Sequence, residues 1–544
     1  MSEILAVIFP LEIINNIILF FSEKALQTFY DGIFKDPLLQ SLVLYRKYRK
    51  VKVDCLEQLV EAASFNAPIG TMYLNWKDEY LRFFKVNPSF LSRISDVKLV
   101  ADCQKAFMIL REVMFRKISH LEFKKTKVFD PSLISRDLKL ISISFSNFPR
   151  PRILNRWPPS LTCLKISGHS NLTLIELPMG LRELSCCNLD LSWNLFPSKL
   201  ETISLSSISK FASNQVVFPE GLKELKIAYF PDLDIEEFGT RLPRWLKKFT
   251  LEFSIGNRIS YLKFPDSLEV LDLSCCDISS IKGSIFPMSL VELYLVSNKI
   301  EELLKLKFPE TLRVLNLNDN CIGTFDHAEF PNLLRELYAS GNQLTSLDRA
   351  SFPDLELLDI SVESRLNIKS IRNVKFPSTL KILRARGHSI RDCRRTSFPE
   401  GLKELEITVK GKSQRLSFPP ELEFLDLTLP ESWKSKLSYL ELPATLQDLR
   451  IENGSCIEFD WKLPLLQKMT LSSIKGRVKV PLSVSRLSLF VRRGEDLKSL
   501  VLSQKLDEFQ ISCHFGHFYD EVITIMRHQQ GKEHGWRRRL MLSF

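Results

Sequence analysis

Across 544 residues there is no P-loop, no G-x-S-x-G and no H-E-x-x-H. The short motifs that cradle phosphate, present an acyl-transfer nucleophile or build a zinc hydrolase are therefore absent. No C-x-x-C pair and no zinc-type Cys/His spacing occurs either. The eight histidines are dispersed except for His514 and His517, beside Cys513 in CHFGHF. A metal there would need a fourth ligand and a rigid turn. We expect no catalytic residues, no metal ligands and no cofactor, and so no enzyme.

Charge of one sign is not concentrated. The net charge is +11, but 75 Lys and Arg are scattered among 64 acidic residues. A basic stripe with interleaved aromatics, which nucleic-acid binding requires, is missing, so no nucleic-acid partner is expected. The apolar start, ILAVIFPLEIINNIILFF, has no basic leader and no small-residue cleavage site, and it carries Pro10, Glu12, Asn15 and Asn16. It reads as neither signal peptide nor membrane span, and no membrane partner is expected. A secreted receptor would need that leader and disulfide-capped ends. The eleven cysteines are odd in number and include the vicinal pairs Cys186-Cys187 and Cys275-Cys276. Reduced thiols in a cytoplasmic or nuclear protein are the expectation.

What the chain does have is a period. FPDSLEVLDLSCCDI starts at Phe264, FPMSLVELYLVSNKI at Phe286, FPETLRVLNLNDNCI at Phe308 and FPNLLRELYASGNQL at Phe330, each 22 residues after the last. The proline-led phrase recurs in sixteen units between Pro158 and Pro481, spaced 17 to 24 residues apart. Two of them, at Phe352 and Leu463, lack one residue between proline and the first leucine. One such unit cannot bury its own apolar face, so the units must stack. In L-x-x-L-x-L the last leucines alternate, which puts Leu315 and Leu317 on one side of a short strand and Asn316 and Asn318 on the other. Asn320 then turns the chain, its amide bonding backbone groups that the turn leaves unpaired. Proline restarts the unit, the phenylalanine before it plugs the far side, and the return stroke has room only for extended or 3₁₀ segments.

These phrases identify a leucine-rich-repeat array, and the opening F/L-P-x-x-L resembles the repeats of FNIP-type proteins and of bacterial leucine-rich effectors. The fold class expected is α/β: a leucine-rich-repeat solenoid with one curved parallel sheet of sixteen to nineteen strands, preceded by a small all-α module. Function should lie on strand residues facing away from the core. Tyr294, Asn316 and Tyr338 fall on consecutive strands, with Asp359 and Arg384 beyond them, and these five are the candidate contacts for a protein target of unknown identity. Tyrosine is large, rigid and able to hydrogen-bond, as interface hot spots prefer.

Residues before the array carry a second resemblance. Phe9-Pro10-Leu11-Glu12-Ile13, then Phe21-Ser22-Glu23-Lys24-Ala25-Leu26, then Tyr45-Arg46-Lys47-Tyr48-Arg49-Lys50-Val51 resemble, in order, the three pieces of an F-box. Ala25 and Tyr48 stand where that family usually has Asp and Trp. The resemblance implies a substrate-recognition subunit of a cullin–RING ubiquitin ligase. Phe9, Pro10, Ile13, Ile17 and Leu26 would then dock on a Skp-type adaptor, which joins the chain to a cullin. A helical cap sealing the first repeat of an intracellular scaffold is the alternative. The expected domains are an F-box-like helical module over 1–52, a helical linker and cap over 53–117, the solenoid over 118–511 and a C-terminal cap over 512–544. Val100 to Phe115 is the clearest expected helix of the linker.

Overall fold

The proline turns set the shape of the proline-led units. The amide of Leu312 bonds the carbonyl of Pro309 at 3.1 Å, and Leu268, Leu290 and Leu334 bond Pro265, Pro287 and Pro331 in the same way. Proline suits this first corner because its φ is already set and its missing N–H is not needed there. The two shortened units turn differently. Leu355 bonds Pro353 across a tighter corner, and Leu466 bonds Leu463 rather than Pro464. Each turn feeds a short strand, and each strand pairs in parallel with the strand of the next unit.

This is a computed structural model that describes residues 50–543, except 102–116, 125–139, 149–156, 169–176, 189–195, 209–215, 431–439, 516–538 and stretches of six residues or fewer. The chain divides into two compact units, Met1–Thr250 and Leu251–Phe544, with the strand Lys248–Glu252 containing the division. In the first unit nine described strands pair in chain order, from Lys50–Val53 through Ile69–Asn75, Ile94–Ala101 and Ile118–Lys124 to Glu224–Ala228. In the second, thirteen follow one another from Val270–Asp272 to Arg539–Ser543. Each unit is thus a parallel-sheet solenoid with few helices.

The expected helical linker over 53–117 is corrected here. Helices Leu56–Ser64, Glu79–Val86 and Pro88–Ser92 do occur, but as connections between Lys50–Val53, Ile69–Asn75 and Ile94–Ala101, which are strands of the sheet. The cause is period-2 burial: Met72 and Leu74, then Val97, Leu99 and Ala101, point inward without the proline-led phrase that marks later units. Val100 and Ala101, expected to open a helix, end a strand against Glu122 and Phe123, and 102–116 lie outside the described residues. At the other end the sheet runs into the expected cap. Glu508–Phe515 crosses its boundary, and Arg539–Ser543 pairs with Glu508–Ser512. The strand count accordingly exceeds the sixteen to nineteen expected. Of the all-α module expected over 1–52, residues 1–49 lie outside the described residues, and 50–52 belong to the strand Lys50–Val53 rather than to a helix.

In the second unit the core is a stack of leucines. Leu312, Leu315, Leu317 and Ile322 are fully buried, as are their counterparts Leu290, Leu293, Leu295 and Ile300. Burial at this level contributes about 2 kcal/mol per leucine. Phenylalanines before the prolines stack in pairs: Phe264 on Phe286, Phe286 on Phe308, Phe330 on Phe352 and Phe376 on Phe398, with ring centroids 6.3 to 6.4 Å apart. Described return strokes of the proline-led units are extended or 3₁₀ except at Ile235–Gly239, where a short α-helix departs from that expectation. Gly256–Tyr261 is a 3₁₀ turn, and Ser455–Ile457, Lys475–Lys479 and Leu497–Val501 form a second, three-stranded parallel sheet.

A residue of positive φ follows the strands from Val270–Asp272 to Glu336–Tyr338 in the turn, and in Ile382–Ile390 it sits inside the strand, at the register shift. Cys275, Ser297, Asp319, Gly341 and Gly387 have φ of 58°, 54°, 55°, 72° and 85°, each two positions after the last inward-facing strand residue. That conformation aims the amide at the next unit: Ser297 bonds the Asn318 carbonyl at 2.9 Å and Asp319 bonds that of Ser340 at 2.7 Å. Each sterically costly turn is offset by a hydrogen bond between units.

Candidate functional site

In three consecutive units asparagine follows this left-handed residue and locks its unit to the one before. Asn320 donates through Nδ2 to the carbonyls of Leu317 (3.0 Å) and Leu295 (2.8 Å), and its Oδ1 accepts from the Ile300 amide (3.0 Å). Asn298 and Asn342 repeat the pattern. In the unit before Asn298, Cys276 takes the place and its thiol donates to Leu251 at 2.9 Å. In the unit of Ile382–Ile390 the residue is His388, fully buried, with Nε2 2.6 Å from the Ile360 carbonyl and Nδ1 3.4 Å from the Ile368 amide. A neutral ring protonated on Nε2 satisfies both partners, and burial holds its pKa below the ordinary histidine value. Sequence reasoning did not single out His388. Aligning GHSI with GNQL shows it in the asparagine position.

This ladder holds the opposite face of the strands in register. Tyr294 stands beside Asn316, Asn316 beside Tyr338, Tyr338 beside Asp359 and Asp359 beside Arg384. All five expected target contacts therefore lie in one row on one face, half-buried. Adjacent members are separated by about 4.8 Å, the spacing of paired strands.

None of the five side chains is loose. Tyr294 Oη donates to Glu292 at 2.9 Å, and Tyr338 Oη to Glu336 at 2.8 Å. Burial and these carboxylates push both phenols up to about 12, so they stay neutral at physiological pH. Asn316 and Asp359 each accept the amide two residues on, Asn318 and Ser361, at 3.0 Å. Arg384 reaches Glu406 at 3.1 Å and Glu404 at 3.4 Å. Glu292 and Glu336 were not among the expected contacts. Their signal was the Glu-Leu-Tyr triplet repeated at 292–294 and 336–338.

Beyond Arg384 the row becomes an ion network. Arg386 bridges Asp426 and Glu452, each at 3.3 Å, and Arg450 lies 5.0 Å from the centre of the Phe424 ring. Burial raises the carboxyls of Glu406 and Asp426, although Arg384, Arg386 and Arg450 pull the other way. The adaptor contacts expected from the F-box resemblance, Phe9, Pro10, Ile13, Ile17 and Leu26, lie outside the described residues.

Comparison with known proteins supports the repeats. Residues 288–344 match the family model described as leucine rich repeat, and no F-box domain is detected. Receptor like protein 22 of Arabidopsis thaliana is 27% identical over 188 residues, which cover 32% of this chain and 22% of that protein. The chain thus spans less than a quarter of the curated relative it matches. Among solved structures, CroV588, described as a novel circular leucine-rich-repeat protein, aligns with a TM-score of 0.51 at 16% identity, over 87% of this chain and 89% of that one. YopM from Yersinia enterocolitica aligns at 16% identity with a TM-score of 0.42, over 90% and 98%. The likeness to CroV588 is one of fold.

Proposed function

We propose that this chain is a non-catalytic protein-recognition scaffold, with its target held against the sheet face around Tyr294, Asn316, Tyr338, Asp359 and Arg384. The observation that carries this reading is the single row itself. Two aromatic rings, each tied to a carboxylate, are presented two strands apart on a parallel sheet. Pre-positioned tyrosines lose little freedom on binding, which is how interface anchors gain affinity. Truncating such an anchor costs about 2 kcal/mol, roughly thirtyfold in affinity. Tyr294→Ala and Tyr338→Ala should each weaken capture of a crosslinked target by that factor, with the melting temperature nearly unchanged. Lys165→Ala and Ser488→Ala should do little. Loss of capture in the second pair but not the first would place the binding surface elsewhere.

The finer form of this reading is a substrate receptor of a cullin–RING ubiquitin ligase. Its support is the ordered F-box resemblance from Phe9 to Val51. In this form the N-terminal residues dock on a Skp-type adaptor, a cullin joins through that adaptor, and the chain contributes proximity while other subunits do the chemistry. A cytoplasmic or nuclear location goes with it, in keeping with the free thiols of Cys55, Cys163, Cys186, Cys187, Cys275, Cys276 and Cys321. The test is co-purification with the adaptor. Pro10→Ala with Ile13→Ala should abolish it and leave target capture intact. A wild-type chain that never retains the adaptor would reduce the reading to a scaffold whose N-terminal residues only cap the array.

A further inference from the structure

Against a chain of net charge +11, one stretch of the sheet face is acidic. On the five strands from Val270–Asp272 to Leu357–Asp359 the alternate positions opposite the core are Val270 and Asp272, Glu292 and Tyr294, Val314 and Asn316, Glu336 and Tyr338, then Leu357 and Asp359. They include four carboxylates and neither lysine nor arginine. The next outward residues, Ser274, Val296, Asn318, Ser340 and Ser361, are uncharged.

We propose that this face takes a basic protein segment presenting two cationic side chains about 10 Å apart, one over each Glu–Tyr pair. This names the partner class for the target-binding face proposed above and rests on that reading.

Charge complementarity supplies the first argument. In the neighbouring strands the charges are mutually satisfied: Arg384 with Glu404 and Glu406, Arg386 with Asp426 and Glu452, Lys468 with Asp448. Among the described residues Asp272, Glu292, Glu336 and Asp359 form no ion pair. Glu292 and Glu336 each accept one phenolic hydrogen bond on Oε2, which leaves Oε1 for a second donor. Carboxylates surround both rings, although Arg384 opposes Glu336 and Asp359 at Tyr338. Burial raises the Tyr294 phenol most, and Glu292, Asp272 and Glu336 all push the same way.

Ring geometry supplies the second. A cation beside a carboxylate and over a tyrosine face gains from both charge and ring quadrupole, and the ring here is already held by its hydroxyl. The two Glu-Leu-Tyr triplets are two strands apart, which sets the spacing at about 10 Å. In a polyproline II segment, residues three apart fall on the same side and are separated by about 9 Å. Residues two apart in a β-strand share a side but span only about 7 Å. The fitting sequence is therefore a base, two spacers and a base in a polyproline-like run.

The test uses the full chain and labelled synthetic peptides. Four repeats of Arg-Pro-Pro provide the spacing; six repeats of Arg-Pro and four of Glu-Pro-Pro are the controls. Anisotropy at physiological salt should show binding of the first, at least about tenfold weaker binding of the second, and none of the third. Hydrogen exchange should show protection at Glu292–Tyr294 and Glu336–Tyr338. The variant Glu292→Gln with Glu336→Gln keeps an acceptor for each phenol and should lose about tenfold in affinity with an unchanged melting temperature. Equal binding by that variant, or no binding of the first peptide, overturns the proposal. If target capture still depends on Tyr294 and Tyr338 in that case, the recognition face stands and only the basic class falls. Protection of other strands by the bound peptide would remove both.

Discussion

Asn320 reaches back across a whole repeat to the carbonyl oxygen of Leu295, 2.8 Å away, and by that bond ties the turn of one unit to the strand of the last. Its Oδ1 also takes the Ile300 amide. Asn320→Ala leaves these buried groups and the Leu317 carbonyl without their partner. The expected cost is about 3 kcal/mol or more, confined to the adjoining units. Hydrogen exchange should show the Ile300 amide losing protection, while amides near Leu449 keep theirs.

His388 occupies the same position with a titratable ring. Burial lowers its folded-state pKa, and the Ile360 carbonyl only partly opposes this. The unfolded chain therefore takes up the proton first as pH falls below about 6.5. Stability from this site is complete above that value and declines as pH drops below it toward the folded pKa. Urea midpoints measured between pH 5 and 8 should fall on the acid side for the wild type. His388→Asn, the residue of the neighbouring units, should flatten that fall.

Two glycines of positive φ, Gly341 in a turn and Gly387 within Ile382–Ile390, separate backbone strain from side-chain crowding. A Cβ on Gly387 would come within 1.8 Å of the Val362 carbonyl oxygen, whereas one on Gly341 would meet the Asp319 carboxylate at 2.2 Å. A carboxylate can rotate away, whereas the Val362 backbone is held by the bond from its amide to the Arg386 carbonyl. Gly387→Ala should cost more than about 2 kcal/mol and Gly341→Ala distinctly less. Melting temperatures of the two variants, compared side by side, test the order.

Leu315 and Asn316 are neighbours in sequence on opposite faces of one strand: the first is fully buried, the second half-exposed. Leu315→Asp would bury an unpaired charge and should unfold the middle units, at a cost above about 4 kcal/mol. Asn316→Asp should cost far less, since Asp359 in the same row already makes the equivalent bond to the amide two residues on. An unchanged melting curve for Leu315→Asp would falsify the assigned register.

How far the sequence reaches depends on how each feature is encoded. The leucine at every third and fifth place, the proline corner, the stacked phenylalanines and the asparagine are written in the 22-residue period. Periodicity alone therefore put Leu315 inward and lined up Tyr294, Asn316, Tyr338, Asp359 and Arg384. The strands at Ile69–Asn75 and Ile94–Ala101 were not legible in this way. Without the phrase, short alternating runs beside apolar helices look helical, and only pairing with a neighbouring strand resolves them. Tertiary structure alone decided which polar groups meet. His388 replaces asparagine because both its nitrogens find backbone partners one unit away, and Arg386 spans from its own strand to Asp426 and Glu452. A repeat dictates the place of each residue along the chain. The chemistry of its face depends on what the adjacent coils bring within a few ångströms, and stacking is what brings them there.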